Sequence, residues 1–499
     1  MNSQKIALII LDGFGIRKEK EGNAIKLASM PFYNELLKKY AHTTLKTKGE
    51  YVGLEKGQFG NSEVGHLNIG SGRVVLQNSY RITKAIEDGE FFRNKKLIAM
   101  LKKLKKTNSA LHLFGLCSNG GVHSQIKHLY AILELCKQNN FNNVLIHFIS
   151  DGRDTNIYDG KEFLNQLNKE IKKIGIGKVV SLCGRFYAMD REKNYDRTDK
   201  FYEILSNYCG EKSFSSINEA FNYYYKNGLS DEFIVPTVLK DADYRVKKDD
   251  AILCFNFRTD RPRQIFKKLI ENNFKHLFSM TNYDAKFKNK VTVVFEENEQ
   301  KNCLSEVLSK NNKSQLRISE TTKYAHVTYF FNLLNEVPFK NEKRIIIDGD
   351  KIDNFAKKPR MKIKEITDTI ISETNNEKFD FIVVNFPNAD MVGHTGNMKA
   401  TINALEFLDK NLKRLCEDLK NKGYIILITA DHGNADKMIN SNGSVCTTHT
   451  TSDAPFIIID NQRYQLRKDG KLANISPTVL DLMQIKKPKE FKEDSLILK

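Results

Sequence analysis

Residues 6–15 read IALIILDGFG, a short apolar run that ends in an Asp-Gly pair. Similar β-branched runs, each followed by polar or glycine residues, alternate with stretches of helical periodicity along the whole chain. This alternation predicts an α/β fold with largely parallel sheets. The predicted strands cover residues 6–11, 111–116, 144–149, 179–183, 251–257, 381–385 and 424–429.

The length of 499 residues exceeds what a single hydrophobic core usually organises, so two domains are predicted. The sequence has no apolar run of about 18 residues, the length that a membrane-spanning helix needs. Its eight cysteines include no C-x-x-C pair, which favours free thiols over a disulfide scaffold or a cysteine zinc site. Together these features predict a cytoplasmic protein with no membrane partner.

The formal net charge of +18 is compatible with nucleic-acid binding, an anionic membrane surface or acidic small substrates. A nucleic-acid-binding protein is the alternative from a different functional class, and it would carry aromatic and basic residues interleaved on one face. The sequence contains no such stripe. Its densest basic run, KKLIAMLKKLKK at 95–106, has apolar residues at helical spacing and predicts an amphipathic surface helix. No nucleic-acid partner is therefore predicted.

Polar side chains directly after the strands deserve the closest inspection, because ligands in α/β sheets bind beyond the carboxyl ends of the strands. These side chains fall into two chemical sets. The set after the first and last two strands consists of metal-ligand types: Asp12, Asp390, His394, Asp431 and His432. The set after the four middle strands suits an anion: His123, Asp151, Arg153, Asp154, Arg185, Arg191, Arg258 and Arg261.

The first set can share one site only if the segment between its members is an inserted domain. The predicted arrangement is a discontinuous metal-binding domain, residues 1–77 and 298–499, with an inserted α/β domain at 78–297. Both predicted junctions lie in polar stretches, QNSY and FEENEQK.

The metal-ligand set gains one more member, His449 in the segment TTHTTSDAPF. Six aspartate and histidine side chains are enough for two divalent ions when a hydroxyl and substrate oxygens complete the coordination. Mixed carboxylate and imidazole ligation suits Mn²⁺ or Zn²⁺ better than Ca²⁺.

Ser62 is the candidate nucleophile. It lies in GNSEVGH, residues 60–66, a glycine-flanked turn ahead of a predicted helix where backbone N–H groups can receive an anion. A capping serine in an ordinary turn would explain the local residues equally well. Since the chain has no G-x-S-x-G elbow, a nucleophilic serine here needs a metal to activate it.

Nine segments in order carry a resemblance to a known family. They are LIILDGFG (8–15), GNSEVGHLNIGSGR (60–73), GGVHS (120–124), SDGRDT (150–155), GRFYAMDR (184–191), NFRTDR (256–261), SETTKYAHVTYFFN (319–332), NADMVGHTG (388–396) and TADHGN (429–434). By these segments the chain resembles the cofactor-independent phosphoglycerate mutases of the alkaline phosphatase superfamily. The resemblance spans nearly the whole length and implies an alkaline-phosphatase-like domain with an inserted phosphoglycerate-binding domain.

The resemblance implies interconversion of 3-phosphoglycerate and 2-phosphoglycerate in glycolysis and gluconeogenesis, without 2,3-bisphosphoglycerate, through a phosphoserine on Ser62. It implies two divalent ions, with Mn²⁺ predicted. The ligands would be Asp12, Ser62, Asp431 and His432 for one ion, and Asp390, His394 and His449 for the other. The substrate would contact His123, Arg153, Asp154, Arg185, Arg191, Arg258, Arg261 and Lys323. The predicted catalytic residues are Ser62, Asp154 and Lys323, in a monomer.

Other members of the same superfamily remain alternatives, because a phosphatase, sulfatase or phosphopentomutase shares the metal ligands. The arginine-rich insert fits a small carboxylated phosphate ester better than a bare phosphate monoester. Two departures from the family pattern affect no residue with an assigned role. They are Gln125 after GGVHS, and Asn156 with Ile157 after SDGRDT, and each is expected to affect only loop rigidity.

Overall fold

The computed structural model describes residues 4–296 and 301–498. The strands are β1 (Lys5–Leu11), β2 (Ala41–Leu45), β3 (Leu111–Leu116), β4 (Val144–Ser150), β5 (Lys178–Gly184), β6 (Lys212–Phe214), β7 (Thr237–Leu239), β8 (Ala251–Cys254), β9 (Leu277–Ser279), β10 (Val291–Val293), β11 (Gln315–Glu320), β12 (Glu342–Ile347), β13 (Phe381–Phe386), β14 (Tyr424–Thr429) and β15 (Ala454–Ile459). The helices are α1 (Ala24–Leu27), α2 (Pro31–Lys39), α3 (Ser62–Ser71), α4 (Asn78–Glu87), α5 (Lys95–Thr107), α6 (Ile126–Gln138), α7 (Gly160–Ile174), α8 (Arg185–Ala188), α9 (Tyr195–Asn207), α10 (Ile217–Lys226), α11 (Arg263–Glu271), α12 (Leu304–Lys310), α13 (Ile363–Asn376), α14 (Asn388–Met391), α15 (Met398–Asn421) and α16 (Ile475–Leu482).

The chain packs into two compact units. The first unit comprises Met1–Gln77 and Glu299–Lys499, and the second comprises Asn78–Asn298. The predicted junction between 297 and 298 lies outside the described residues. The metal-binding and phosphoglycerate-binding functions of the two domains stay predictions.

The first unit contains a seven-stranded sheet in the order β12-β11-β13-β1-β14-β15-β2. The five strands from β12 to β14 are parallel, while β15 and β2 are antiparallel additions at one edge. Strands β1, β13 and β14 are buried almost throughout, as expected for parallel strands covered by helices on both faces. Helices such as α13 and α15 place their apolar stripes against this sheet.

The second unit contains an eight-stranded sheet in the order β10-β9-β8-β3-β4-β5-β7-β6. Its neighbours from β10 to β5 pair in parallel, and β7 pairs antiparallel to β5. The α/β class and the largely parallel sheets are therefore confirmed.

The predicted strand at 251–257 is too long, because β8 ends at Cys254. Beyond that point the chain turns towards the segment after β3, and the Phe257 amide donates to the carbonyl of His123 at 2.9 Å. The departure brings the residues after β8 next to those after β3.

Helix α5 contains the basic run at 95–106, and its buried residues are Leu97, Met100, Leu101 and Leu104. The amphipathic surface helix is therefore confirmed. Within the residues that the structure describes, no helix has the length and apolar character to cross a membrane.

Candidate active site

Three neighbouring strands of the first sheet, β13, β1 and β14, each lead into a carboxylate. Asp12 directly follows β1, Asp390 lies in the short helix α14 after β13, and Asp431 follows β14. All three side chains are buried. Because parallel strands end at a common edge, the fold brings together carboxylates that are far apart in sequence.

Three histidines present the same ring nitrogen to these carboxylates. His394, His432 and His449 each place Nδ1 next to a backbone carbonyl, which can only accept a hydrogen bond. The carbonyls belong to Thr447, Gly433 and Gly60, at 2.7, 3.3 and 3.0 Å respectively. Nδ1 therefore carries a hydrogen in all three rings, and Nε2 points to the site, which is how metal-binding histidines are usually held.

Nitrogen and oxygen atoms that carry lone pairs lie close together at this site. The Nε2 atoms of His394 and His449 lie 3.1 and 3.2 Å from Asp390 Oδ1 and 3.0 Å from each other. Asp431 Oδ2 is buried without a hydrogen-bond partner among the described residues. Such clustering of lone pairs is stabilised by a cation, so the donor set fits divalent metal ions.

Ser62 is the first residue of helix α3, rather than lying in a turn ahead of it, and Asn61 caps the helix by accepting from the Val64 amide at 2.9 Å. The Ser62 Oγ donates to Asp12 Oδ1 at 3.2 Å and lies 2.9 Å from His432 Nε2. The Lys323 ammonium donates a short hydrogen bond to the same Oγ. A cationic donor at this oxygen favours its alkoxide form.

Lys323 also bridges two of the carboxylates. Its Nζ lies 2.8 Å from Asp12 Oδ1 and 2.7 Å from Asp390 Oδ2. Burial would raise the pKa of both carboxyl groups, but the Lys323 ammonium and the contacting histidines together outweigh burial and hold each pKa well below its usual value. Burial would lower the pKa of Lys323, and the surrounding carboxylates raise it instead. The lysine is therefore a fixed positive charge.

One ammonium does not balance three buried carboxylates, which supports the assignment of further cations to the site. Among the described residues, three triplets of aspartate and histidine side chains have ligand atoms within 4.8 Å of one another. They are Asp390 with His394 and His449, Asp12 with His66 and Asp431, and Asp12 with Asp390 and His432. The first triplet coincides with one of the two predicted ligand sets.

The second unit assembles the predicted anion set in the same way. Four adjacent strands, β8, β3, β4 and β5, lead into its members. These are Arg258 and Arg261 after β8, His123 after β3, Arg153 and Asp154 after β4, and Arg185 and Arg191 after β5.

Arg185 is the buried centre of this second set. One guanidinium nitrogen lies 2.6 Å from Asp151 Oδ1 and 2.5 Å from Asp154 Oδ2. His123 Nε2 lies 3.8 Å from Asp154 Oδ2. Burial, together with the cations of Arg185 and Arg258, lowers the pKa of His123 to about 4, so its imidazole is neutral at physiological pH.

Asp260 organises the outer arginines, and the sequence reasoning did not assign it a role. It accepts from Arg191 at 2.7 Å and from Arg258 at 3.1 Å, and it lies 3.9 Å from His123 Nδ1. The guanidinium of Arg261 instead donates to the Met189 carbonyl at 2.8 Å. The position of Asp260 between two arginines in NFRTDR is the signal that was available in the sequence.

The two departures from the family pattern are accommodated locally. Asn156 donates to Asp159 Oδ2 at 3.1 Å, and the carbonyl of the exposed Ile157 accepts from the Asp231 amide at 3.0 Å. Gln125 directly precedes helix α6. The segment after SDGRDT is therefore tied down by its own contacts.

The chain is similar to proteins of known family. A family model described as the metalloenzyme superfamily matches residues 4–487. A 2,3-bisphosphoglycerate-independent phosphoglycerate mutase from Clostridium kluyveri is 45% identical over 510 residues, which cover 100% of both chains. The chain belongs to this mutase family within the metalloenzyme superfamily. The predicted family is confirmed.

Two further relatives agree with the family assignment. The mutase of the same name from Clostridium tetani is 43% identical, over 100% of this chain and 99% of the relative. A solved structure of Leishmania mexicana phosphoglycerate mutase, determined at low cobalt concentration, matches 100% of this chain and 98% of its own. Its sequence identity is 28% and its TM-score is 0.63, so the two proteins share the fold.

Proposed function

We propose that this enzyme interconverts 3-phosphoglycerate and 2-phosphoglycerate through a phosphoserine on Ser62. Family membership makes the chain an isomerase, an intramolecular phosphotransferase of the cofactor-independent form. The observation that supports Ser62 as the nucleophile is its Oγ, which contacts Asp12, His432 and Lys323 together. An arginine set that suits a carboxylated phosphate ester, together with this serine, favours the mutase over a phosphatase or phosphopentomutase.

Two divalent ions would be held by the two predicted ligand groups. These are Asp12, Ser62, Asp431 and His432, and Asp390, His394 and His449. When bound, the ions supply Lewis-acid charge that favours the serine alkoxide and neutralises the phosphoryl oxygens. We propose Mn²⁺ for both ions, since mixed carboxylate and imidazole donors suit Mn²⁺ or Zn²⁺ better than Ca²⁺.

In the first half-reaction Ser62 Oγ, already deprotonated to the alkoxide, forms a bond to phosphorus while the bond from phosphorus to the 3-oxygen of the substrate breaks. Lys323 stabilises the charge on the transferring oxygens. Asp154, protonated at the start of the cycle, gives its proton to the 3-oxygen of the departing glycerate, with the neutral imidazole of His123 beside it.

In the second half-reaction the same groups act in reverse on the other hydroxyl. Asp154 takes the proton of the 2-hydroxyl, whose oxygen attacks the phosphoserine and releases Ser62. The guanidinium groups hold the glycerate carboxylate throughout, because their planar forks match an oxyanion. Atoms balance without 2,3-bisphosphoglycerate, since the phosphoryl group leaves and returns within one turnover.

We also propose a cytoplasmic monomer. All eight cysteines lie in the described part of the chain and are free thiols, which persist in a reducing compartment. One chain supplies every residue of both sets, so the chemistry requires no second copy.

The test offers purified protein 3-phosphoglycerate with Mn²⁺ and no 2,3-bisphosphoglycerate, and follows 2-phosphoglycerate and free phosphate together. We expect 2-phosphoglycerate without stoichiometric phosphate. Ser62→Ala should reduce turnover by roughly 10⁴-fold or more, and the variant should retain most of its bound metal. Ser444→Ala, on an exposed loop, is the control and should keep wild-type turnover. Accumulation of phosphate alone, or substantial mutase activity in Ser62→Ala, would contradict the proposal.

A further inference from the structure

A fourth histidine, His66, lies at the active site but is bonded differently from the other three. Its Nδ1 donates to the Ser62 carbonyl at 2.8 Å, so that nitrogen carries the hydrogen, as in the metal-facing histidines. Its Nε2, however, lies 3.0 Å from Asn385 Nδ2. The lone pair that the other three rings present to the carboxylates is in His66 occupied by an amide N–H.

The orientation of Asn385 is fixed by its neighbours. Its Nδ2 donates to Asp12 Oδ2 at 2.7 Å, and a carboxylate can only accept. Turning the amide would place Oδ1 against that carboxylate, so the nitrogen must face Asp12. The second hydrogen of the same Nδ2 then points to His66 Nε2, which fixes the neutral tautomer of the ring.

These hydrogen bonds connect Asp12 to Ser62, the two groups whose relative position the proposed reaction depends on. They run from the Asp12 carboxylate through Asn385 and His66 to the backbone of Ser62. His66 lies one helical turn after Ser62 in α3, and helical side chains lean towards the N-terminus, so its ring reaches back to the first turn. All four residues are buried.

The segment that carries Lys323 also packs on this ring. His326, three residues after the lysine, contacts His66 edge to face with ring centroids 5.5 Å apart. His326 begins a π-helical turn, His326–Phe330, a local irregularity that is common at functional sites. The ring of His66 is thus the point where the nucleophile, a carboxylate and the lysine segment meet.

We infer that His66 and Asn385 form a positioning pair that sets Ser62 Oγ relative to Asp12, and that His66 is not a metal ligand. This inference rests on the proposed function of Ser62. The competing assignment follows from distance alone, because Asp12, His66 and Asp431 have ligand atoms within 4.8 Å of one another. His66 Nδ1 lies 3.2 Å from Asp431 Oδ2, but that oxygen receives no aligned hydrogen bond, and the Nδ1 hydrogen faces Ser62.

Two amide substitutions at position 66 distinguish a positioning role for His66 from a role as a metal ligand. In His66→Asn the side-chain amide can take the place of Nδ1 and still donate to the Ser62 carbonyl. In His66→Gln the amide reaches the place of Nε2 and the donor to Ser62 is lost. Asn385→Leu keeps the approximate volume and removes the N–H groups that bind Asp12 and His66.

We expect His66→Gln and Asn385→Leu to lower kcat by roughly tenfold or more, the usual size for partners of ligand residues, with KM within about twofold of wild type. His66→Asn keeps the donor to the Ser62 carbonyl and loses only the acceptor for Asn385, so its kcat should fall by less than that of His66→Gln. Metal content, measured by mass spectrometry on the purified proteins, should match wild type in all three variants.

Loss of one metal ion per chain in both His66 variants would show that His66 is a ligand and overturn the inference. Equal kcat in His66→Asn and His66→Gln, or wild-type kcat in Asn385→Leu, would overturn it as well. A wild-type enzyme that only released phosphate would contradict the proposed function instead, and the same comparison of variants would then be made on phosphate release.

Discussion

The two sets of polar residues occupy equivalent places in two sheets but differ in accessibility. In the first unit Asp12, Asp390 and Asp431 are buried. In the second unit the side chains of Arg153, Arg191 and Arg258 are 55%, 44% and 45% exposed, although Arg185 is buried. A buried carboxylate cluster suits resident cations, whereas partly exposed guanidiniums can receive an anion from solution.

This difference in burial and charge shows that the carboxyl edge of a parallel sheet does not itself select a ligand. In the first unit the edge carries acids and one lysine, and in the second it carries arginines, each held by a nearby acid or carbonyl. If the first set serves chemistry and the second serves recognition, changes in the two sets should have different kinetic signatures.

The largest expected effect is removal of metal from the first unit. Exhaustive chelation with EDTA should abolish mutase activity, because three buried carboxylates and the nucleophile lose their main source of positive charge. Binding of 3-phosphoglycerate, measured by calorimetry, should weaken by no more than about tenfold, because the arginine set remains. Mn²⁺ should restore activity. Turnover that survives chelation would contradict the assignment of the chemistry to bound metal in the first unit.

The next largest effect is expected from Lys323→Met. This variant removes a charge that contacts Ser62 Oγ, so kcat should fall by about 10²- to 10³-fold, the size typical for a lost charge-stabilising donor. KM should change little. Lys364→Met is the matched control, since Lys364 pairs with Asp368 on the exposed face of α13. Steady-state kinetics at saturating metal provide the measurement, and a pure KM effect would contradict the role of Lys323.

A smaller effect of the opposite kinetic type is expected from Asp260→Asn. The substitution keeps the shape but weakens the contacts to Arg191 and Arg258, so KM should rise by roughly tenfold with kcat within about threefold. Asp243→Asn, which alters an exposed pair with Arg245 in the same unit, is the control and should leave both constants unchanged. A fall in kcat at constant KM would show that Asp260 belongs to the chemistry instead.

The smallest effect concerns stability in the second unit. Burial and the neighbouring Lys127 cation lower the pKa of His128 from 6.5 to about 3. Below pH 6.5 the unfolded chain takes up a proton that the native ring does not, so native stability is lost as the pH falls, by about 2 kcal/mol at pH 5. Above pH 6.5 this loss is absent.

His128→Gln should remove that pH-dependent loss. Urea unfolding at pH 7 and pH 5 would measure it by circular dichroism, which suits a chain without tryptophan. The exposed His42 provides the control, and His42→Gln should show the same decrease as wild type. An undiminished decrease in His128→Gln would mean that His128 does not titrate on unfolding.

Much of the site could be predicted because its members follow apolar strands. Asp12 directly follows β1, and Asp431 follows β14 after one residue, so both polar residues are conspicuous beyond an apolar strand. His66 and Asn385 were missed for physical reasons: His66 lies inside helix α3, and Asn385 lies within the buried strand β13. Their roles depend on hydrogen-bond direction, which residue spacing does not encode.

The edge strands of the first sheet could not be predicted, because their pairing is not evident from residue composition. Strand β2 reads AHTTL and β12 reads EKRIII, and neither is buried throughout, so their composition resembles surface segments. Their pairing with β15 and β11 is decided by tertiary contacts. The central strands needed no such context, since continuous apolar runs of this kind are typical of parallel sheets.

Helix α3 begins at Ser62, so a phosphate esterified to that serine would be attached at the positive end of ten residues of aligned peptide dipoles. That field favours each negative charge by roughly 0.3–1 kcal/mol. The helix would therefore stabilise the proposed phosphoserine, and it would give the phosphoryl group an electrostatic reason to stay on the protein until the other hydroxyl of glycerate attacks.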